Sequence, residues 1–156
     1  MSPSVVERLA ELGIELPDAP SAVGAYVPTV RAGALLFTSG QIATTGQGLL
    51  ATGVVGVDVE LETARACARQ CLLNVLAQVH AAIGALDRIQ RVIKLTVFVA
   101  SAPGFTNQSA IADSASDLLA SILGERGAHA RSSLGVAALP LGSPVEIEAI
   151  FEVEAA

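Results

Sequence analysis

Tryptophan is absent from this 156-residue chain, tyrosine and methionine occur once each, and phenylalanine occurs four times. With aromatic residues at 3%, a core has to be built from Ala, Val, Leu and Ile, which fill space finely but bury little area each. A subunit built this way often completes its core against a partner, so an oligomer is expected. Lysine occurs once, at Lys94, and nine basic residues face fifteen acidic ones for a net charge of −6. The arginines are scattered along the chain. Phosphate backbones are held by concentrated positive charge, so no nucleic acid is expected as the main partner. An anionic membrane surface is disfavoured on the same ground.

No apolar run reaches the ~18–20 residues that a membrane span needs, and the opening MSPSVVERLAELG lacks the basic-then-apolar order of a signal peptide. The two cysteines, Cys67 and Cys71, stand one helical turn apart. That spacing shares a helix face but rarely meets disulfide geometry, so both read as small buried apolar residues in a reducing, cytoplasmic setting. His80 and His129 are the only histidines. They are far apart and lack carboxylates at ligand spacing, so no metal site, no cofactor and no Ser-His-Asp arrangement is expected. Glycines between residues 40 and 56 do not follow a strand and open a helix in phosphate-loop order.

What is present is a globular composition, 52% apolar, at a length suited to one domain. The expected unit is a single domain over residues 1–156, with residues 1–20 as an N-terminal helix and linker. Ser4 and Gly13 punctuate a short helix from Val5 to Leu12, and Pro17 and Pro20 break the chain after it. Ala25–Val30 and Ala34–Ser39 read as a hairpin around Ala32-Gly33, followed by a Gly- and Thr-rich loop from Gly40 to Gly56. Leu61, Ala64, Ala68, Leu72, Val75, Val79 and Ile83 form a one-sided stripe that predicts a helix between Asp58 and Leu86. A β-branched strand (Val92–Val99), a second helix (Ser109–Leu123, stopped by Gly124) and two strands (Ser132–Leu139 and Pro144–Val153, turning at Pro140-Leu141-Gly142) complete the chain. The order β-β-α-β-α-β-β predicts an α+β fold, a mixed sheet covered on one face by two helices. In the last strand Val145, Ile147, Ala149, Phe151 and Val153 alternate with Glu146, Glu148, Glu152 and Glu154. The first set belongs to the helix-covered core, and the second faces water or another subunit.

The candidate chemistry is an arginine and a carboxylate. Arg131 opens a strand in ARSSLGVAALP, and Glu146 sits in VEIEAI. A guanidinium fork binds a small carboxylate bidentately, and a glutamate can orient or deprotonate water. Read from these residues alone, an interface salt bridge for Arg131 and a solvated strand face for Glu146 account for them as well.

The pieces VGAYVPTV (23–30), LLFTSGQI (35–42), VIKLTVFV (92–99) and ARSSLGVAALP with VEIEAI (130–150) resemble the RidA/YjgF family, also labelled endoribonuclease L-PSP. The extra N-terminal helix and the long 40–56 loop look like a longer branch of it. The resemblance implies the chorismate-mutase-like architecture: a homotrimer with a central β-barrel, helices outside, and ligand clefts between subunits. It implies that Arg131 holds a substrate carboxylate, that Glu146 positions the hydrolytic water, and that Tyr26 walls the pocket. Ser39 and Gly40 offer backbone contacts after the second strand, and Ser133 stands where relatives often carry cysteine. Two runs depart from the family pattern. Ala112-Asp113-Ser114 replaces a helix asparagine, and AHARS (128–132) replaces FPARS. The implied activity is hydrolysis of reactive 2-imino acids to 2-oxo acids and ammonia. The alternatives are a small-carboxylate sensor without turnover and, against the acidic charge, an RNA-cleaving enzyme.

Overall fold

A computed structural model describes residues 3–155; Met1, Ser2 and Ala156, the outermost positions of the expected 1–156 domain and of its N-terminal reading, lie outside the described residues. Helix α1 (Val5–Glu11) opens with a capping box: Ser4 Oγ accepts from the Glu7 amide while the Glu7 carboxylate accepts from the Ser4 amide. Asp87 also accepts from the Val5 amide, tying α1 to a segment more than eighty residues later.

Strands β1 (Thr29–Ala32) and β2 (Leu35–Thr38) form the expected hairpin. Its two-residue loop is Gly33-Ala34, one step later than the sequence suggested, because Gly33 supplies the positive φ (61°) that the tight turn needs. Residues 25–28 stay outside the ladder. The loop after β2 is not structureless: β3 (Gln41–Ile42) joins the main sheet, while β4 (Thr44–Thr45) and β5 (Gly48–Leu49) make a small separate hairpin. Helix α2 (Leu61–Ile83) is the long helix, and Gly84 ends it with a left-handed cap (φ 82°). It starts after Asp58, whose carboxylate instead accepts from the Val54 amide and shapes the preceding turn.

Strand β6 (Ile89–Ala100), helix α3 (Gln108–Leu123), strand β7 (Ala130–Val136) and strand β8 (Val145–Val153) follow. The main sheet runs β1-β2-β8-β6-β7, with β3 also paired to β8. Only β6 and β7 are parallel, and α3 is the crossover that a parallel neighbour requires. The last two strands therefore do not form a hairpin about Pro140-Leu141-Gly142. That segment is a 3-10 turn that carries the chain past β6, which lies between β7 and β8. Helices α2 and α3 pack on one face. The apolar set of β8 (Val145, Ile147, Ala149, Phe151, Val153) is buried beneath them, as the alternation predicts. The other face is open and carries Val30, Phe37 and Leu134 beside Glu146 and Glu148.

Both cysteines are free, fully buried on α2 and part of the core. Burial pushes the Cys67 thiol up to about 11, and Cys71 higher than its ordinary value. No helix among the described residues is long and apolar enough to cross a membrane.

The inner side of α2 is not wholly apolar. Asn74, 0% exposed, donates through Nδ2 to the carbonyls of Ile42 and Thr44 (3.0 Å each) and accepts from Gln70 Nε2 (3.1 Å). It satisfies backbone groups that the two-residue strands β3 and β4 leave unpaired. Replacing Asn74 with Leu is expected to strand those carbonyls and lower stability by about 1–3 kcal/mol. The measurement is urea denaturation of both proteins under identical conditions, with the midpoint shifted down and the slope unchanged.

Candidate active site

The sheet register builds the site. Phe37 on β2 pairs with Ile150, and Gln41 on β3 pairs with Ile147. Three residues, Thr38, Ser39 and Gly40, therefore stand opposite two, Glu148 and Ala149. The extra residue makes a bulge, a common device for redirecting a chain beside a binding site. Thr38 Oγ1 holds the ladder together across the gap, accepting from the Ala149 amide at 3.0 Å. Ser39 and Gly40 are thereby set over the neighbouring side chain of Glu146, which leaves the open face of β8.

A strap covers this point. From Pro20 to Pro28 the chain runs without regular structure and is pinned at both ends. Gln78 on α2 donates to the Pro20 carbonyl, the Ser39 amide donates to Pro28 O (2.8 Å), and Ser39 Oγ donates to Val27 O (2.7 Å). Strap, bulge, Gln78 and the Pro140-Leu141 turn enclose a cavity of about 520 Å³ with Glu146 in its wall and Tyr26 at one side. Leu141 stands 73% exposed at the rim with a positive φ of 57°. That conformation is strained for a branched side chain and is often held at ligand sites.

The Glu146 carboxylate has no hydrogen-bond partner among the described residues. Desolvation and, secondarily, the negative charge of Glu148 raise its pKa above the ordinary 4.5, the direction that suits a proton-transfer group working near neutrality. Gly40 is required by contact rather than by backbone angle: a Cβ there would overlap the Glu146 carboxyl, lying 2.8 Å from its Cδ.

Tyr26, Ser39, Gly40 and Glu146, four of the six site residues expected from sequence, thus line one cavity. Arg131 and Ser133 do not. They lie on edge strand β7, two strands from β8, on the helix-covered face rather than the open one. Arg131 Nη1 donates to Asp113 Oδ1 (2.9 Å) and to Ser116 Oγ (3.0 Å) on α3. Ser116 Oγ meets His129 Nε2 at 2.9 Å, and His129 Nδ1 meets the Gly127 carbonyl at 2.6 Å. The donors close into one consistent chain: guanidinium to Ser116, Ser116 hydroxyl to imidazole, imidazole N–H to Gly127. Ser133 shares a hydrogen bond with Ser109 at 3.3 Å. One chain therefore carries two half-sites, a carboxylate cavity and a guanidinium edge.

Asp113, Ser116 and His129 were not anticipated as partners of Arg131. The sequence signal was present in the two departing runs, both of which lead to this guanidinium. No group of three or more possible metal ligands occurs among the described residues. A larger groove, about 1200 Å³, separates α1 from the end of α3. Its Arg126 is already committed to the carbonyls of Asp87 and Ile89.

The model of the family described as Endoribonuclease L-PSP matches residues 16–153. The chain belongs to this family. The α+β fold anticipated for a RidA/YjgF member is the one this L-PSP chain has. Protein TCP17 of Trypanosoma cruzi is 45% identical over 150 residues, covering 96% of this chain and 94% of that protein. A protein of Salmonella typhimurium named 2-iminobutanoate/2-iminopropanoate deaminase is 37% identical over 135 residues, covering 85% of this chain and 91% of its own. Among solved structures, Atu1372 of Agrobacterium tumefaciens, described as of unknown function, has a TM-score of 0.88 at 45% identity. It covers 96% of this chain and 92% of its own.

Two predictions concern the cavity. Gly40→Ala is expected to leave the fold intact but displace the Glu146 carboxyl. It should lower any turnover or ligand binding at the cavity by about tenfold or more, a loss of roughly 1.4 kcal/mol. Calorimetric titration and circular dichroism of the same samples check this. The raised pKa of Glu146 also has a stability signature. Between the ordinary glutamate value and the raised one the folded chain holds a proton that the unfolded chain has lost, so stability falls as pH rises through that window. Glu146→Gln lacks this loss. Its melting temperature is expected to exceed wild type above the window, and the gap should close as pH drops below the ordinary value, as read by calorimetric scans across pH.

Proposed function

We propose that this L-PSP family protein hydrolyses reactive 2-imino acids to 2-oxo acids and ammonia at clefts between copies of the chain in a homotrimer. The observation that carries the reading is the division of the site. A half-buried, unpartnered carboxylate with raised pKa lines a cavity on one face, while the guanidinium suited to a carboxylate lies at the far edge strand on the other. A site that uses both requires β7 of one copy to approach the cavity of the next. The relative named 2-iminobutanoate/2-iminopropanoate deaminase supports the choice of substrate.

In this mechanism Arg131 holds the substrate carboxylate beside the C=N carbon. Water, placed by Glu146 and the backbone about Ser39-Gly40, adds to that carbon as Glu146 takes its proton. With the imine entering protonated, the tetrahedral carbinolamine then collapses: Glu146 returns its proton to the nitrogen as C–N breaks, takes up the hydroxyl proton as C=O forms, and ammonia leaves. Tyr26 walls the cavity, and Ser133 stands beside Arg131 on the guanidinium edge. No covalent intermediate is needed. Imines hydrolyse unaided, so positioning and one charge-assisted contact need lower the barrier by only a few kcal/mol. A second reading, small-carboxylate sensing without turnover, draws support from Arg131, which is already engaged by an internal carboxylate.

The test generates 2-iminobutanoate in situ and follows its loss. Wild type is expected to accelerate hydrolysis, and Arg131→Ala and Glu146→Gln are each expected to lose it by about a hundredfold, roughly 2.7 kcal/mol. Mixing the two inactive variants under conditions that exchange subunits is expected to restore part of the activity, because some clefts then pair an intact Arg131 with an intact Glu146. No acceleration by wild type, with 2-oxobutanoate still raising its melting temperature, would establish the sensing role instead.

A further inference from the structure

The chain surrounding Arg131 bears on which ligand its half-site accepts. Only Nη1 of the guanidinium is engaged; Nε and Nη2 have no partner among the described residues, and the side chain keeps 22% of its exposure. The free edge is the one that a carboxylate can grip bidentately. Beside it stands Asp113, 55% exposed, with one oxygen on Nη1 and the other without a partner among the described residues. Arg131 and Asp113 together form a fixed pair of opposite charges 2.9 Å apart. Ser116, backed by His129 and Gly127, prevents the guanidinium from swinging away.

A lone guanidinium attracts any small anion. A guanidinium paired with an aspartate presents almost no net charge, so a plain carboxylate gains less from it. A ligand that carries a cation next to its carboxylate meets both members of the pair. In a 2-amino acid, or in the protonated form of a 2-imino acid, the nitrogen sits one carbon from the carboxylate. A carboxylate on the free edge of Arg131 therefore carries its cation to the neighbourhood of Asp113.

We propose that Asp113 makes the Arg131 half-site selective for zwitterionic 2-iminio and 2-amino carboxylates over plain 2-oxo carboxylates. This rests on the reading of Arg131 as the carboxylate holder and names the form of substrate that the site takes. Asp113 is a specificity residue that recognises the protonated imine, the form whose carbon water attacks most readily. The 2-oxo acid product, lacking the cation, is released.

The experiment measures binding alone, by calorimetry on the full chain, with 2-aminobutanoate and 2-oxobutanoate as probes. Wild type is expected to prefer 2-aminobutanoate. Asp113→Asn, which keeps size and helix position, should bind 2-oxobutanoate about fivefold tighter and 2-aminobutanoate about fivefold weaker, the scale of a partly exposed charge contact. Ser116→Ala, which loosens Arg131 without changing charge, should weaken both probes alike and leave their ratio unchanged, separating specificity from mere positioning. Arg131→Ala should bind neither. If Arg131→Ala binds both as wild type does, the carboxylate-holding reading fails and this inference falls with it. If Arg131→Ala loses both probes while Asp113→Asn leaves their ratio unchanged, the inference alone is overturned.

Discussion

Strand β8 pairs with β2 and β3 along one edge and with β6 along the other, so its register fixes nearly everything else in the sheet. Its residues alternate without a break between apolar side chains and, at most of the opposite positions, glutamates. A slip of one residue would exchange the two faces. Val145, Ile147, Phe151 and Val153, each contributing roughly 1.5–3 kcal/mol on burial, would move to the open face together with Ala149. The glutamates would move under α2 and α3, where an unpaired carboxylate costs several kcal/mol. No alternative register competes on those terms. The place of Glu146 on the open face is thus a consequence of how the core is built.

The cavity follows from that position. One surplus residue opposite β8 raises Ser39-Gly40 over Glu146, and the absence of a side chain at Gly40 leaves the carboxyl its room. Burial there disfavours the charged form and raises its pKa, which works against stability at neutral pH. The polar face of α2 works the other way. Asn74 satisfies the short strands behind the bulge, and Gln78 anchors the strap in front of it. Helix and bulge therefore act as one unit. The amides that give α2 its polar patch hold the cavity's walls in place, and Gln78 is itself part of the lining.

Sequence patterning made the long elements legible, because periodicity reports burial. The stripe along α2, the alternation in β8 and the glycines after each long helix led directly to elements found within a few residues of their expected limits. The short strands β3, β4 and β5 were not legible, since two-residue pairings carry no period and depend on partners such as Asn74. The course of β7 was missed for a different reason. A Pro-Leu-Gly turn between two strands reads locally as a hairpin, and only the crossover through α3, which packs against α2 and β7, brings β7 into parallel pairing with β6. Of the site, the residues carried by VGAYVPTV, LLFTSGQI and VEIEAI came together in one cavity, while Arg131 and Ser133 of ARSSLGVAALP stand apart from it. The partners of Arg131 stayed hidden because Asp113 and Ser116 lie 18 and 15 residues before it, distances that signify contact only once the crossover through α3 is known. His129 was weighed as a metal ligand and set aside, whereas its place is in a hydrogen-bond chain.

That parallel edge strand shapes how the proposed assembly closes. A contact in which β7 of one copy meets the cavity of the next is heterologous, using two different surfaces, and such contacts either close into a ring or grow into a filament. The open face carries both the exposed apolar residues Val30, Phe37 and Leu134 and the glutamates of β8, so it favours turning inward around an axis over stacking without end. In a closed ring every copy contributes one cavity and one guanidinium edge, and sites equal copies. Before assembly, Arg131 stands at a sheet edge already paired with Asp113. Asp113 and Ser116 hold it in place within its own chain, so the half-site is formed in advance and assembly has only to bring the two halves together.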